Sequence, residues 1–185
     1  MLLNLPNSLT AARILLIPVF VSLSYLPGER GVALSAACFM LAGFTDWADG
    51  YIARRDGLST SFGKFFDPVA DKLLVISALV LLVAQGHAPL GVVLVLISRD
   101  ITIMALREYI AGCGGRIAVS KVAKYKTGFQ MLAILMLLLH NGLSGIDVSG
   151  FGLIVLYISA FFSLWSGYDY WASVWPQIRG ELADQ

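Results

Sequence analysis

Four aspartates are the part of this sequence best suited to chemistry. Asp46 and Asp49 stand three apart, and Asp67 and Asp71 stand four apart. On a helix, each spacing places both carboxylates on one face. Two antiparallel helices joined by a short loop can bring those faces together. Four carboxylates in one small volume repel, and are tolerable there only with cations or with raised pKa values. Hard divalent cations take oxygen ligands, and Mg²⁺ suits phosphate-bearing substrates. A two-metal site of this kind neutralises phosphate charge and orients an in-line displacement. Each acid also has an ordinary use. Asp67 before Pro68 reads as a helix N-cap with Pro at N1, and Asp49 has Arg54 and Lys72 as possible ion-pair partners.

The residues around the acids fit a phosphate ligand. Gly50 directly follows Asp49, and Gly63 sits four residues before Asp67. Both allow a ligand to approach the backbone closely, although small residues also serve helix packing in membranes. Arg54 lies one helical turn beyond Gly50, and its guanidinium suits a phosphate or a nucleobase edge.

The elements that must position these residues are apolar. Of 185 residues, 58% are hydrophobic and 14% are charged, with a mean hydropathy of +0.78. Soluble domains are about 45–50% apolar and about 25% charged. A soluble fold of this size does not hide so much apolar surface. The expectation is therefore a single all-α domain over residues 1–185, an integral membrane bundle of six transmembrane helices. The runs are roughly Leu9–Leu26, Val32–Ile52, Val69–Gln85, Pro89–Ile110, Val122–His140 and Gly150–Trp171. Breaks fall at Pro27-Gly28, Gly57, Gly86, Gly112 through Gly115, and Gly142 through Gly145. There is no internal repeat. No secretory signal is expected, because further apolar runs follow the first. Cys38 and Cys113 have no close pairing or metal-ligand spacing and read as inert thiols.

Lys and Arg orient the bundle. Arg54, Arg55 and Lys64 lie between the second and third runs, and Arg116 and Lys121 between the fourth and fifth. Arg13 and Arg179 lie near the ends, whereas the opposite loops hold only Arg30. Both termini and both basic loops are thus expected in the cytoplasm, with Tyr25, Trp171 and Trp175 as interfacial anchors. The second run starts outside, so Asp46 lies roughly 21 Å into a core about 30 Å thick. Carboxylates at that depth are costly, and a purely structural role explains four of them poorly.

The pattern Asp46-x-x-Asp49-Gly50-x-x-Ala53-Arg54, then eight residues, then Gly63-x-x-x-Asp67-x-x-x-Asp71, resembles the complete signature of the CDP-alcohol phosphotransferase family. Eight fixed positions within 26 residues are filled with the family's spacing. The resemblance implies that an alcohol attacks the β-phosphorus of a CDP-linked lipid and that CMP leaves. It implies metal ligation by Asp46, Asp49, Asp67 and Asp71, with Asp71 also the catalytic base. It places Asp49, Gly50, Ala53, Arg54, Gly63 and, less closely, Thr60 around the cytidine diphosphate. Two Mg²⁺ ions are expected, with Mn²⁺ as an alternative, together with a homodimer in the bacterial inner membrane. No nucleic-acid partner is expected.

A looser likeness within the family concerns the acceptor. Asn4 through Arg13, Ser98-Arg99-Asp100, Leu106-Arg107-Glu108 and Lys121 through Thr127 resemble members that join CDP-diacylglycerol to sn-glycerol 3-phosphate. An anionic acceptor needs fixed cations, and Arg107, Lys124 and Lys126 are the candidates, with Arg99 instead pairing with an acid inside the bundle. Lys and Arg near helix ends also set topology or meet anionic lipid. Inositol phosphate, serine or phosphatidylglycerol remain alternative acceptors. A cation transporter is the alternative class, since intramembrane acids also mark ion pathways. No role is assigned to Tyr168, Asp169 or Tyr170.

Overall fold

The computed structural model describes residues 5–56, 61–112, 121–140 and 147–183, and the side chains within 12–45, 69–112, 125–140 and 147–175. Among the described residues the chain is all-helical. Six helices follow one another: α1 (Leu5–Ser24), α2 (Glu29–Asp56), α3 (Ser61–Ala84), α4 (Leu90–Gly112), α5 (Lys121–Leu138) and α6 (Ser149–Ala183). Each expected apolar run lies largely within one helix, but the helices outrun them. Helix α3 begins at Ser61, so Asp67-Pro68 lies inside it rather than capping its start. Helix α6 extends to Ala183, well past Trp171. Hydropathy marks the apolar part of a helix, whereas the backbone ladder runs on until a cap or a break stops it.

The turns at one end of the bundle are built on glycine. Gly86 adopts φ +76°, a left-handed conformation that favours glycine. The His87 amide donates to the Leu82 carbonyl at 2.8 Å, and the Gly86 amide to that of Val83 at 3.0 Å. This is the paired Schellman closure, and it ends α3 cleanly. Asp147 starts α6 by accepting from the Ser149 amide at 2.8 Å. That bond and one from the Ser149 hydroxyl hold the Asp147 carboxyl below its usual range. His87 stacks on His140 with centroids 4.0 Å apart, tying the α3–α4 turn to the end of α5. Burial, with His140 beside it, holds His87 below the ordinary imidazole pKa.

A continuous apolar core joins the helices. Phe20 of α1 meets Phe39 of α2 with ring centroids 6.0 Å apart, and Leu74, Leu79, Leu82, Leu96, Ile134, Leu137 and Leu156 are buried around them. Helix α1 packs on both α2 and α3, and α5 packs most extensively on α6. Gly152 permits the α5–α6 approach: a Cβ there would lie 3.0 Å from Leu137 and 3.1 Å from Met136. Small residues at such crossings let backbones come close.

The outer surface is also apolar. Leu15, Leu41, Phe44, Phe151 and Tyr168 are among the exposed large side chains, each more than 60% exposed. Among the described residues one helical segment, Ser149–Trp175, is long and apolar enough by itself to cross a membrane. Ala12–Ser24 and Tyr125–Leu138 are shorter apolar segments. Helix α4 is interrupted by Arg99, Asp100 and Arg107, which lowers its apolar character. Two of the charges expected near the membrane surface lie inside: Arg13 is 2% exposed and Lys126 is 1% exposed.

Replacing Gly86 by Ala forces a Cβ into the left-handed region. The variant is expected to lose about 1 kcal/mol of stability, read as a lower midpoint of thermal unfolding in detergent, with the helical signal before melting unchanged.

Candidate active site

The signature residues lie on two consecutive helices that pack together. Asp46, Asp49, Gly50, Ala53 and Arg54 fall in the last part of α2, and Gly63, Asp67 and Asp71 in the first part of α3. Thr60 lies outside the described residues. The side chains of Asp46, Asp49, Ala53, Arg54, Asp67 and Lys124 lie outside the described side chains. Among the described side chains no group of three His, Cys, Asp or Glu is placed to hold a metal ion. Asp71 is described, and its carboxylate is about one-third exposed.

From Asp71 a chain of charges runs into the bundle. Lys72 Nζ lies 3.7 Å from an Asp71 oxygen and 3.6 Å from an Asp100 oxygen. Asp100 on α4 is 5% exposed, and Lys126 Nζ on α5 donates to both its oxygens at 2.6 Å. Arg99 Nη1 adds a third cation at 3.1 Å from Oδ1. Arg99 also fastens α4 to α6: Nε donates to the Ser163 carbonyl at 3.0 Å, and Nη2 to Ser166 Oγ at 2.6 Å. One turn further along α6, Tyr170 OH accepts from Arg107 Nη2 at 2.6 Å. The Tyr170 ring lies 5.1 Å from the Arg107 guanidinium carbon and 5.9 Å from that of Arg99. Arginine over an aromatic face is a favourable contact when desolvated.

The expected pairing of Arg99 with an acid is thus present, with its own neighbour Asp100 as the partner. Arg107 lies at the same cluster. Lys126 lies there too, but its ammonium is enclosed and held by Asp100. The residues that sequence reasoning missed are on α6. Ser159, Ser163, Ser166 and Tyr170 are all buried, along one side of an otherwise apolar helix. Their spacing of four, three and four is the helical period, so the signal was a polar stripe through an apolar run.

The electrostatics of this cluster favour an anion. Among the described side chains, three cations, Lys72, Arg99 and Lys126, meet two carboxylates, Asp71 and Asp100, and Arg107 donates to Tyr170 beside them. Burying unbalanced charge is costly unless a counter-ion completes it. Arg107 Nε and Ser163 Oγ are buried without a hydrogen-bond partner, and each can donate to an oxyanion. A phosphate oxygen is an acceptor that suits both of these donors.

Comparisons with known proteins agree with the signature. The family model for CDP-alcohol phosphatidyltransferase matches residues 3–165. The chain is 39% identical to a CDP-diacylglycerol–glycerol-3-phosphate 3-phosphatidyltransferase of Bacillus subtilis (strain 168), over 95% of this chain and 97% of that one. It is 43% identical to the like-named protein of Rickettsia typhi (strain ATCC VR-144 / Wilmington), over 90% of this chain and 94% of that one. It is 45% identical to the like-named protein of Haemophilus influenzae (strain ATCC 51907 / DSM 11121 / KW20 / Rd), over 90% and 91%.

The buried ion pair makes an asymmetric prediction. Lys126→Met leaves Asp100 facing an apolar side chain, and is expected to cost about 3 kcal/mol. Adding Asp100→Leu leaves Arg99 and Lys72 without their shared carboxylate as well, and is expected to deepen that loss rather than recover it. Chemical denaturation of the single and double variants in detergent reads both values.

Proposed function

The chain belongs to the CDP-alcohol phosphatidyltransferase family, and from that premise we propose that it transfers the phosphatidyl group of CDP-diacylglycerol to sn-glycerol 3-phosphate. The products are phosphatidylglycerophosphate and CMP. The relatives that cover nearly the whole chain carry the name of this reaction. The observation that carries the acceptor assignment is the cation-rich cluster on α4, α5 and α6, linked through Lys72 to Asp71.

The chemistry follows from that juxtaposition. The acceptor hydroxyl is a weak nucleophile until a base takes its proton. Asp71 is the residue assigned to take it. The hydroxyl oxygen then bonds to the β-phosphorus of CDP-diacylglycerol, and the bond from that phosphorus to the oxygen of CMP breaks. CMP leaves with the electron pair. Asp46, Asp49, Asp67 and Asp71 form an all-oxygen donor set suited to Mg²⁺, or to Mn²⁺ in its place. When bound, two such ions supply charge neutralisation on the pyrophosphate oxygens. Asp49, Gly50, Ala53, Arg54, Thr60 and Gly63 are assigned to the cytidine diphosphate. Arg107, Lys124 and Lys126 are assigned to the acceptor phosphate. The unpartnered Arg107 Nε supports the first of these.

The same reading puts the chain in the bacterial inner membrane as one domain of six spans, with the signature end and both termini at the cytoplasmic side. The girdle of exposed apolar side chains supports it, as do exposed Tyr25, Trp171 and Trp175. A donor with acyl tails reaches such a site sideways from the leaflet. A homodimer is the assembly implied by family membership.

Purified protein supplied with Mg²⁺ and CDP-diacylglycerol is expected to release CMP with glycerol 3-phosphate. Inositol phosphate, serine and phosphatidylglycerol are expected to give none above background. Release with one of those and not with glycerol 3-phosphate would overturn the acceptor. Asp71→Asn is expected to retain nucleotide binding while turnover falls by about a thousandfold or more. Full turnover in that variant would reject Asp71 as the base.

A further inference from the structure

Asp100 lies outside the eight-position signature, yet more of the buried charge depends on it than on any other described side chain. It is 5% exposed. It accepts from Lys126 at 2.6 Å on both oxygens and from Arg99 at 3.1 Å, and it has Lys72 at 3.6 Å. Those three cations come from α5, α4 and α3, and Arg99 is also bonded to α6.

We propose that Asp100 is a positioning residue for the acceptor: its carboxylate gathers Lys72, Arg99 and Lys126 into one fixed array that, with Arg107, receives the phosphate of the acceptor alcohol. The inference rests on the acceptor-phosphate reading given above. The physical reason is repulsion. Three like charges in a low-dielectric interior drive each other apart or toward water, because each is costly to bury unpaired. One carboxylate among them removes most of that repulsion and leaves the cluster net positive. A pre-formed array spares the acceptor the cost of assembling it. Lys126 and Arg99 donate to Asp100, and Lys72 adds an ion-pair contact at 3.6 Å, so the carboxylate is fixed in turn. Asp100 itself makes no contact with the acceptor in this scheme. It acts through the cations it holds.

The test uses the whole enzyme in detergent with Mg²⁺, varying each substrate in turn. Asp100→Asn keeps the shape and removes the charge. It is expected to raise KM for glycerol 3-phosphate by about tenfold or more, with KM for CDP-diacylglycerol within about twofold of the parent. Asp100→Glu restores the charge one methylene further out and is expected to fall between the two. Arg107→Gln, measured alongside, reports on the acceptor-site reading itself and is expected to raise the acceptor KM. If Asp100→Asn does not fold, Asp100→Glu decides: a rise confined to the acceptor KM supports the proposal. A lower unfolding midpoint with neither KM moved overturns it, as does an equal rise in both KM values or a fall in the acceptor KM. If Arg107→Gln raises the acceptor KM while the Asp100 variants leave it unchanged, the Asp100 assignment alone is lost. If all three leave it unchanged, the acceptor-site reading falls with it.

Discussion

The contact between Asp100 and Lys126 is the constraint on which the polar half of this bundle depends. Neither ion can be placed in an apolar interior alone, since each would lose its hydration without compensation. With Lys126 Nζ 2.6 Å from both carboxylate oxygens, the pair ties α4 to α5 across the bundle. Arg99 then extends the constraint to α6 by bonding Ser163 and Ser166, and Lys72 extends it to α3. Four helices are therefore located by one buried carboxylate and the donors around it.

The other end of the bundle is organised differently. There, apolar packing, a glycine-closed turn and two stacked imidazoles hold the helices. Gly152 against Leu137 and Met136 brings α5 and α6 close at the apolar end, and the pair stays close further along, where Ser159 Oγ donates to the Lys126 carbonyl at 3.3 Å and Phe129 stacks on Phe162. This division suits a catalyst that works on a lipid. The apolar end supplies rigidity without polar groups that need satisfying, and the polar end carries charges that a substrate can complete.

The arrangement also separates two jobs. Helices α2 and α3 carry the eight signature residues, the ones proposed for the nucleotide end of the donor. Helices α4, α5 and α6 carry the cations and hydroxyls suited to an anionic acceptor. Lys72, next in sequence to Asp71 and within 3.6 Å of Asp100, stands between them. A family that keeps one signature and varies its acceptor can leave the first helix pair alone and change the second group.

The kind of fold and the reaction class were legible in the chain because both depend on local pattern. Six apolar runs become six helices since backbone hydrogen bonds must be satisfied within each run. Asp46, Asp49, Asp67 and Asp71 can be read as paired acids because three- and four-residue spacing on a helix needs no tertiary information. Helix ends were less legible: α3 starts before Asp67 because hydropathy does not register where the backbone ladder begins. Beyond the pairing of Arg99 with an acid, the partners of the buried charges were not legible. Asp100 and Lys126 are 26 residues apart, and Arg107 and Tyr170 are 63 apart. Sequence separation carries no information about which cation will meet which acid. Lys126 read as a candidate cation for the acceptor phosphate, with no sign that an acid would hold it, and Tyr170 had no assigned role. Only the packing of α6 against both α4 and α5 decided that both are enclosed, because burial removes water as a partner and leaves each polar group to find another.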